Sequence, residues 1–255
     1  MDMLKVATMN KPRIGFFDFT GCEGCQLTVL NLEEELLELL ELVEIVEFRE
    51  IMSGQCDSLD IAFVEGSICK PGEAERLQTI RARATTLVAL GACADTAGVN
   101  ALGHFHDLKE LRREIYGGDH PPVVTDLPRP LSAIVEVDYR VPGCPIDGRE
   151  FLAVLQALLL GRPPQLPSFS VCVECKLAEF PCAFERDQVC LGPVTRAGCN
   201  ALCLAAGDRC RGCRGLIDNP RSGPYYRILE EHGLTEEDIL EEFRTFNVPG
   251  RGGQR

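Results

Sequence analysis

Eight cysteines stand between Cys172 and Cys213: Cys172, Cys175, Cys182, Cys190, Cys199, Cys203, Cys210 and Cys213. The residues between them read as ordinary loop-forming sequence. Eight thiolates are enough to close two tetrahedral four-ligand sites, and a CxxC pair brackets each end of the run, as metal sites commonly do. So much sulfur in so short a segment dictates what the rest of the chain must supply.

The chain holds fourteen cysteines in 255 residues. Disulfides persist in oxidising compartments. The start, Met1 to Lys11, shows neither an apolar h-region nor a twin arginine, so no export signal is expected. A cytoplasmic location follows as the expectation, with metal or clusters as the use of the cysteines. Thirty-nine acidic residues against 26 Lys and Arg give a net charge of −13. That balance argues against a nucleic-acid or anionic-membrane partner. No run of about 18 uninterrupted apolar residues occurs, so no transmembrane helix is expected.

Residues 13–160 alternate strand and helix signals. Arg13–Phe19, Val43–Phe48, Ile61–Gly66, Leu87–Gly91 and Val135–Val141 read as strands. Leu27 to about Leu42, Glu73–Ala84 and Arg149–Leu160 read as helices, the first with leucines at 30, 36, 37 and 40 among glutamates. Such alternation predicts an α/β fold, a flavodoxin-like, doubly wound parallel sheet covered on both faces. The crevice of such a sheet lies beyond the carboxyl ends of its strands. Cys22, Cys93 and Cys144 each follow a predicted strand closely, and Cys25 comes with Cys22. Four cysteines are thereby expected at one edge.

Three prolines in Gly161–Pro167 mark a boundary. The predicted organisation is a flavodoxin-like domain over 1–162 and a smaller Cys-rich, loop-rich domain over 163–255. The latter would end in a helix over Leu234–Phe246, with Thr235 as its cap, and a Gly-rich tail.

The first cysteine set is thus Cys22, Cys25, Cys93 and Cys144, with Gly21 and Gly24 letting the backbone bend around it. The second region divides most simply into Cys172, Cys175, Cys182 and Cys190, and Cys199, Cys203, Cys210 and Cys213. On spacing alone, Cys190 and Cys199 could exchange. Spacing also leaves zinc and iron–sulfur open, since zinc accepts all-thiolate sites, and the run is not the compact bacterial ferredoxin pattern. The number of sites tips the balance. Three redox clusters in series make an electron wire, whereas three structural zincs have no evident reason to spread over two domains.

The segments TGCEGCQLTVLNLEE, DIAFVEGSI, LVALGACADTAGVNA, VPGCPIDGREF and VCVECKL…CLGPVTRAGCNALC…CRGCRG resemble the small subunit of cytoplasmic NiFe hydrogenases. They look most like the delta-type subunit of NAD(P)-linked, sulfhydrogenase-like enzymes, over about residues 11–220. The resemblance implies an electron-transfer subunit with three 4Fe-4S clusters. Cys22, Cys25, Cys93 and Cys144 would hold the proximal cluster. Cys199, Cys203, Cys210 and Cys213 would hold the medial one, and Cys172, Cys175, Cys182 and Cys190 the distal one. Periplasmic relatives use a histidine where Cys172 stands, and many have only three cysteines in the medial set, where Cys203 here supplies a fourth. Gly24 stands where some oxygen-tolerant relatives carry an extra cysteine.

The implied partners are a Ni–Fe large subunit and flavin/NAD(P)-binding and further iron–sulfur subunits. The implied reaction is H2 oxidation coupled to NAD(P)+ reduction, with sulfur reduction left open. Asp208–Cys213 only approximates the C-terminal nickel-binding run of the large subunits, so this chain is not expected to bind nickel. Two readings compete. One is a zinc-stabilised interaction module. The other is the quinone-side iron–sulfur subunit of a complex I-like enzyme, which resembles the N-terminal half but carries adjacent cysteines.

The remaining residues are read more plainly. Cys56 and Cys69 are expected to be structural. Glu23, between the first two ligands, is either a tuning charge or proton relay, or a solvated loop carboxylate. Glu65 ends a strand near the same crevice. His104 and His106 lack further ligands and read as loop residues.

Overall fold

The structure is a computed structural model. It describes residues 11–54, 56–117 and 125–217, with 231–233, 235, 242 and 244–246. In chain order the elements are β1 (Arg13–Asp18), α1 (Gly24–Leu30), α2 (Glu34–Leu42), β2 (Glu44–Phe48), β3 (Leu59–Glu65), α3 (Glu73–Arg83) and β4 (Ala84–Leu90). They continue with α4 (Gly91–Thr96), a 3-10 helix over Gly98–Phe105, α5 (Leu108–Tyr116), β5 (Tyr139–Val141) and α6 (Gly148–Leu159). The Cys-rich segment adds α7 (Val171–Leu177), a 3-10 turn over Ala183–Arg186, and α8 (Leu202–Ala205).

The five strands form one sheet in the order β2-β1-β3-β4-β5, every neighbouring pair parallel. This is the flavodoxin-like order, with its switch point between β1 and β3. The α/β expectation is met. The strands are runs of apolar residues because both faces are covered. On one face Phe16, Phe48 and Phe63 pack with Val29 of α1, Leu39 of α2 and Phe151, Val154 and Leu155 of α6. The rings of Phe16 and Phe48 stack at 4.4 Å, and those of Phe63 and Phe151 tilt at 5.1 Å. On the other face Phe17, Ala62, Val64 and Leu87 pack with Leu77 and Ile80 of α3.

The single helix expected from Leu27 to Leu42 is two helices, with Glu33 in a positive-φ conformation (φ 48°) at the break. The reason lies in the leucines. Leu30, Leu32 and Leu36 all pack against the same core, and residues two apart on one helix face away from each other. The break lets Leu32 turn inward, where its Cδ2 lies 2.9 Å from the place a Cβ on Gly148 would take. The fifth strand is shorter than expected, Tyr139–Val141 only, and just before it the Asp138 side chain, through Oδ2, accepts the Leu87 N–H at 2.7 Å.

The Cys-rich segment is not all loop: Cys172 and Cys175 lie on α7 and Cys203 on α8. It has an apolar cluster of its own, with Val171, Leu191, Val194, Ala201 and Leu204 beside Cys175, Cys190 and Cys210. Gly161, at φ 64°, follows the end of α6. The helix expected over 234–246 and the tail beyond it lie largely outside the described residues.

Candidate metal centres

Cys22 and Cys25 stand at the exit of β1, where α1 begins. Glu23 between them takes the left-handed conformation (φ 63°), which turns the chain sharply between the two cysteines. Cys93 lies in α4, which starts directly after β4, and Cys144 lies in the turn after β5. Parallel pairing fixes these three exits at one edge of the sheet. Gly91, at φ 83°, makes the approach possible, since a Cβ there would stand 2.3 Å from Cys25 Sγ.

Three of the four thiols are raised by burial and by their neighbours. Burial raises the Cys93 thiol to about 12, with Cys144, Cys22 and Glu65 adding to it. Burial, then Cys22 and Glu65, raise Cys144. Cys25 is buried and raised by that burial first and by Glu65 second. Cys22 and Cys144 are exposed, so the site opens to the surface on one side.

Glu65, known from sequence only as a strand end, is 3% exposed and belongs to this site. Its Oε1 accepts the Cys25 N–H at 3.1 Å and its Oε2 accepts the Gln26 N–H at 2.9 Å. It therefore caps α1 and fixes the CxxC loop. Burial raises its carboxyl, and those N–H groups oppose the rise. Glu23 points outward and pairs with Arg49 Nη2 at 3.4 Å. Burial and the nearby Glu50 carboxylate raise it.

The second set gathers around α7. Cys172 and Cys175 lie one turn apart and share a face. Cys182 stands at the head of the 3-10 turn, and Cys190 is buried after it. A Cβ on Gly192 would lie 3.3 Å from both Cys172 Sγ and Cys190 Sγ, so these two sulfurs close around one glycine. Burial raises Cys172 to about 12, helped by Cys190, Cys175 and Cys182.

The third set comes from the stretch Cys199–Cys213. Burial raises Cys213 to about 11; the Cys144 N–H opposes this, and Cys144, Cys199 and Cys203 add to it. Burial raises Cys210 to about 12, opposed by the Gly212 N–H and the Thr195 hydroxyl, with Cys190 and Cys213 adding to it. Burial raises Cys199, the Arg214 charge lowers it, and Glu174 raises it.

Contacts between the sets have an order. Cys144 of the first set lies close enough to Cys213 of the third to shift its thiol. The backbone N–H of Cys210, also of the third set, donates to Cys190 Sγ of the second at 3.4 Å. Sulfur therefore runs from the strand-end edge, through Cys199–Cys213, to the α7 set. No disulfide joins any two cysteines among the described residues. Among the described residues, no three His, Cys, Asp or Glu side chains converge as a single metal ion requires.

Four further residues were not singled out by their sequence. Glu150, Glu174 and Arg214 are charged side chains holding loops together, and Asn100 donates from Nδ2 toward Cys93 Sγ at 3.9 Å. Cys69 is buried and Cys56 half-buried, and neither appears among the neighbours that shift the cysteines of the three sets. His104 sits in the 3-10 helix rather than a loop, with its Nε2 2.7 Å from the Pro128 carbonyl oxygen. Among the described residues, no helix is long and apolar enough to cross a membrane.

A five-stranded parallel sheet with cysteines at its strand exits defines a class, and comparison with known proteins identifies it. The family model described as NADH ubiquinone oxidoreductase, 20 Kd subunit matches residues 22–158. The chain belongs to this family, and within it to the delta-type small subunits of NiFe hydrogenases.

Sulfhydrogenase 2 subunit delta of Pyrococcus furiosus is 40% identical over 237 residues, covering 92% of this chain and 98% of that protein. NAD-reducing hydrogenase HoxS subunit delta of Cupriavidus necator is 33% identical over 179 residues, 62% of this chain and 83% of that protein. A crystal structure of an NAD+-reducing NiFe hydrogenase in its H2-reduced state superposes with a TM-score of 0.55 at 30% identity, covering 62% of this chain and 96% of that one. The Ni-Fe-Se hydrogenase of Desulfomicrobium baculatum shares the fold at 17% identity and a TM-score of 0.54, over 85% of this chain and 99% of that one. The chain is therefore a hydrogenase subunit related to the small, electron-transfer subunit.

Proposed function

We propose that this chain carries electrons through three 4Fe-4S clusters, between a Ni–Fe centre on a large partner subunit and a flavin- and NAD(P)-dependent partner. Cys22, Cys25, Cys93 and Cys144 hold the proximal cluster. Cys199, Cys203, Cys210 and Cys213 hold the medial cluster, and Cys172, Cys175, Cys182 and Cys190 the distal one. The division falls near residue 162, with the proximal site in the sheet portion and the other two in the Cys-rich portion.

The observation that carries this reading is the sulfur path, Cys144 to Cys213 and Cys210 to Cys190. That succession fits a relay through three sets in series. The bound clusters would supply one-electron storage at potentials set by charge, hydrogen bonds to sulfur and exposure. The chain's own residues do the rest. Glu65 and Gly91 position the Cys25 thiol, Gly192 draws Cys172 and Cys190 together, and Arg214 ties the proximal loop to the medial one.

The thiol environments fit this use. Burial raises the thiols of Cys25, Cys93, Cys144, Cys172, Cys210 and Cys213, so protons hold those sulfurs until iron displaces them. Zinc fits less well. Four thiolates around one zinc lie about 2.3 Å from it, and among the described residues no three ligands converge on a single ion. Cys22 and Cys144 are exposed, so the proximal site needs a partner over the strand-end edge. A permanent interface there would bury more than roughly 2,000 Å². NAD(P) as the final acceptor rests on the relatives named as NAD-reducing. Glu23, on the rim of that edge, is placed to act as a charge near the proximal cluster.

Iron and acid-labile sulfide in anaerobically purified protein test this reading. About twelve of each per chain are expected from three sites of four cysteines. Zinc matching the number of sites, with iron and sulfide near zero, overturns it.

A further inference from the structure

Asn100 is half-buried in the 3-10 helix that follows Cys93. Its Nδ2 lies 3.1 Å from the Thr20 carbonyl oxygen, 3.0 Å from Ser67 Oγ and 3.9 Å from Cys93 Sγ. A backbone carbonyl only accepts, so the amide nitrogen, not the amide oxygen, faces this cleft. The three acceptors come from the exits of β1, β3 and β4, and Thr20 and Ser67 also form a backbone bridge. Ser67 is wholly buried, and its hydroxyl donates to the Thr20 carbonyl at 3.2 Å, which leaves its lone pairs for Asn100. Two amide hydrogens thus serve three acceptors, two oxygens and one sulfur.

We infer that Asn100 is a positioning residue that holds an N–H against Cys93 sulfur and raises the reduction potential of the proximal cluster. This rests on the proposal that Cys93 is a proximal ligand. Hydrogen bonds to the sulfurs are among the factors that set a cluster's potential. A donor stabilises a sulfur more as the sulfur gains charge. Reduction adds charge to the cluster and its ligands, so the donor favours the reduced state. The oxygens compete with the sulfur for the two hydrogens, so weakening one oxygen acceptor should give the sulfur a larger share. Opposite shifts are therefore expected from two kinds of substitution.

The test is an EPR-monitored redox titration of the complex, purified anaerobically with its large subunit. The proximal signal is assigned by its disappearance in Cys22→Ala. In Asn100→Ala the proximal midpoint is expected to fall. At a fixed potential the reduced-to-oxidised ratio should drop about tenfold, ~59 mV for one electron. Asn100→Asp, which replaces the donor with a carboxylate, should fall further. Ser67→Ala, which removes one competing oxygen, should shift the midpoint upward. The medial and distal midpoints stay in place in all three.

An unmoved proximal midpoint in variants of full iron content overturns the inference. So does an equal shift of all three midpoints, or a fall in Ser67→Ala, because either reports general loosening. A parent complex lacking iron at the Cys22–Cys93 set would instead overturn the proposed function, and iron analysis separates that failure from the others.

Discussion

Arg214 grips Glu150 with two hydrogen bonds from one nitrogen, Nη2 to Oε1 at 2.7 Å and to Oε2 at 2.8 Å. The pair joins the Cys-rich segment to α6 across 64 residues of sequence. The rest of the guanidinium is also engaged. Its Nη1 donates to the Pro142 carbonyl at 2.7 Å, and its Nε donates to the Arg196 and Ala197 carbonyls at 3.2 and 2.9 Å. Pro142 precedes the Cys144 turn and Arg214 follows Cys213. One buried side chain therefore sets the spacing between a proximal and a medial cysteine.

Arg214→Met is expected to cost on the order of 3–5 kcal/mol, because it leaves a buried carboxylate without its partner. The pH dependence has a definite sign. Burial raises the Glu150 carboxyl above its ordinary value of 4.5, and Arg214 pulls it back. A carboxyl raised in the folded state binds its proton more tightly folded than unfolded, so stability falls as pH climbs through the window above the unfolded value. Removing Arg214 raises the folded value further and widens that window upward. Thermal melts should show the deficit of Arg214→Met to be larger at about pH 7.5 than at about pH 5.5. An equal deficit at both would mean that Glu150 does not take up a proton.

Cys22→Ala should abolish hydrogen-dependent dye reduction while leaving the two clusters of the Cys-rich segment visible by EPR. Cys22 is exposed at the strand-end edge, so its loss removes a ligand without opening a cavity in the core. Retained hydrogen-dependent activity in this variant would contradict the assignment of the first site.

The gathering of Cys22, Cys93 and Cys144 was legible in sequence because parallel strands exit at one edge, and a cysteine just past each strand has nowhere else to go. The bracketing CxxC pairs of the Cys-rich run suggested two sets of four, while spacing alone let Cys190 and Cys199 exchange. What sequence left open was the neighbour of each set. The Cys190 to Cys210 hydrogen bond depends on how the chain folds back over 20 residues. Arg214 and Asn100 were illegible for a similar reason, since each acts on loops distant in sequence; Glu65 was legible as a strand end near the crevice, but its hold on the Cys25 and Gln26 N–H groups was not. The split at Glu33 was hidden because helix periodicity counts leucines and does not see that Leu32 must also face inward. The helices under Cys172 and Cys203 were missed because runs this short carry too few apolar positions to show a period.

Gly91→Ala and Gly192→Ala should part company. A Cβ on Gly91 would stand 2.3 Å from Cys25 Sγ, and the residue holds a φ of 83°. The left-handed conformation alone costs roughly 1–2 kcal/mol for a residue with a side chain. The sulfur must move as well, and it is a proposed ligand. A Cβ on Gly192 would stand 3.3 Å from two sulfurs, a contact relieved by a few tenths of an ångström. Iron analysis should find Gly91→Ala about one cluster short of the parent and Gly192→Ala close to full content, on four irons per site. Equal iron in the two variants would show that Gly91 is not clearing a ligand position.

Glu174 offers a test of opposite sign to Asn100. It lies on α7 between Cys172 and Cys175, yet its carboxylate turns to the other set. Its Oε1 accepts the Gly198 N–H at 2.7 Å, its Oε2 accepts the Ala201 N–H at 3.2 Å, and Oε2 lies 4.0 Å from Cys199 Sγ. A negative charge at that distance opposes the arrival of an electron, so it holds the medial potential down. Glu174→Gln removes the charge, and its side-chain oxygen can still accept one N–H. The medial midpoint should rise, with the reduced-to-oxidised ratio at a fixed potential increasing up to about tenfold, ~59 mV. The proximal midpoint should stay where it is, because the carboxylate is held on the Cys199 loop by the Gly198 and Ala201 N–H groups. A distal shift larger than the medial one would mean that the carboxylate acts on the helix that carries it rather than on the loop it reaches.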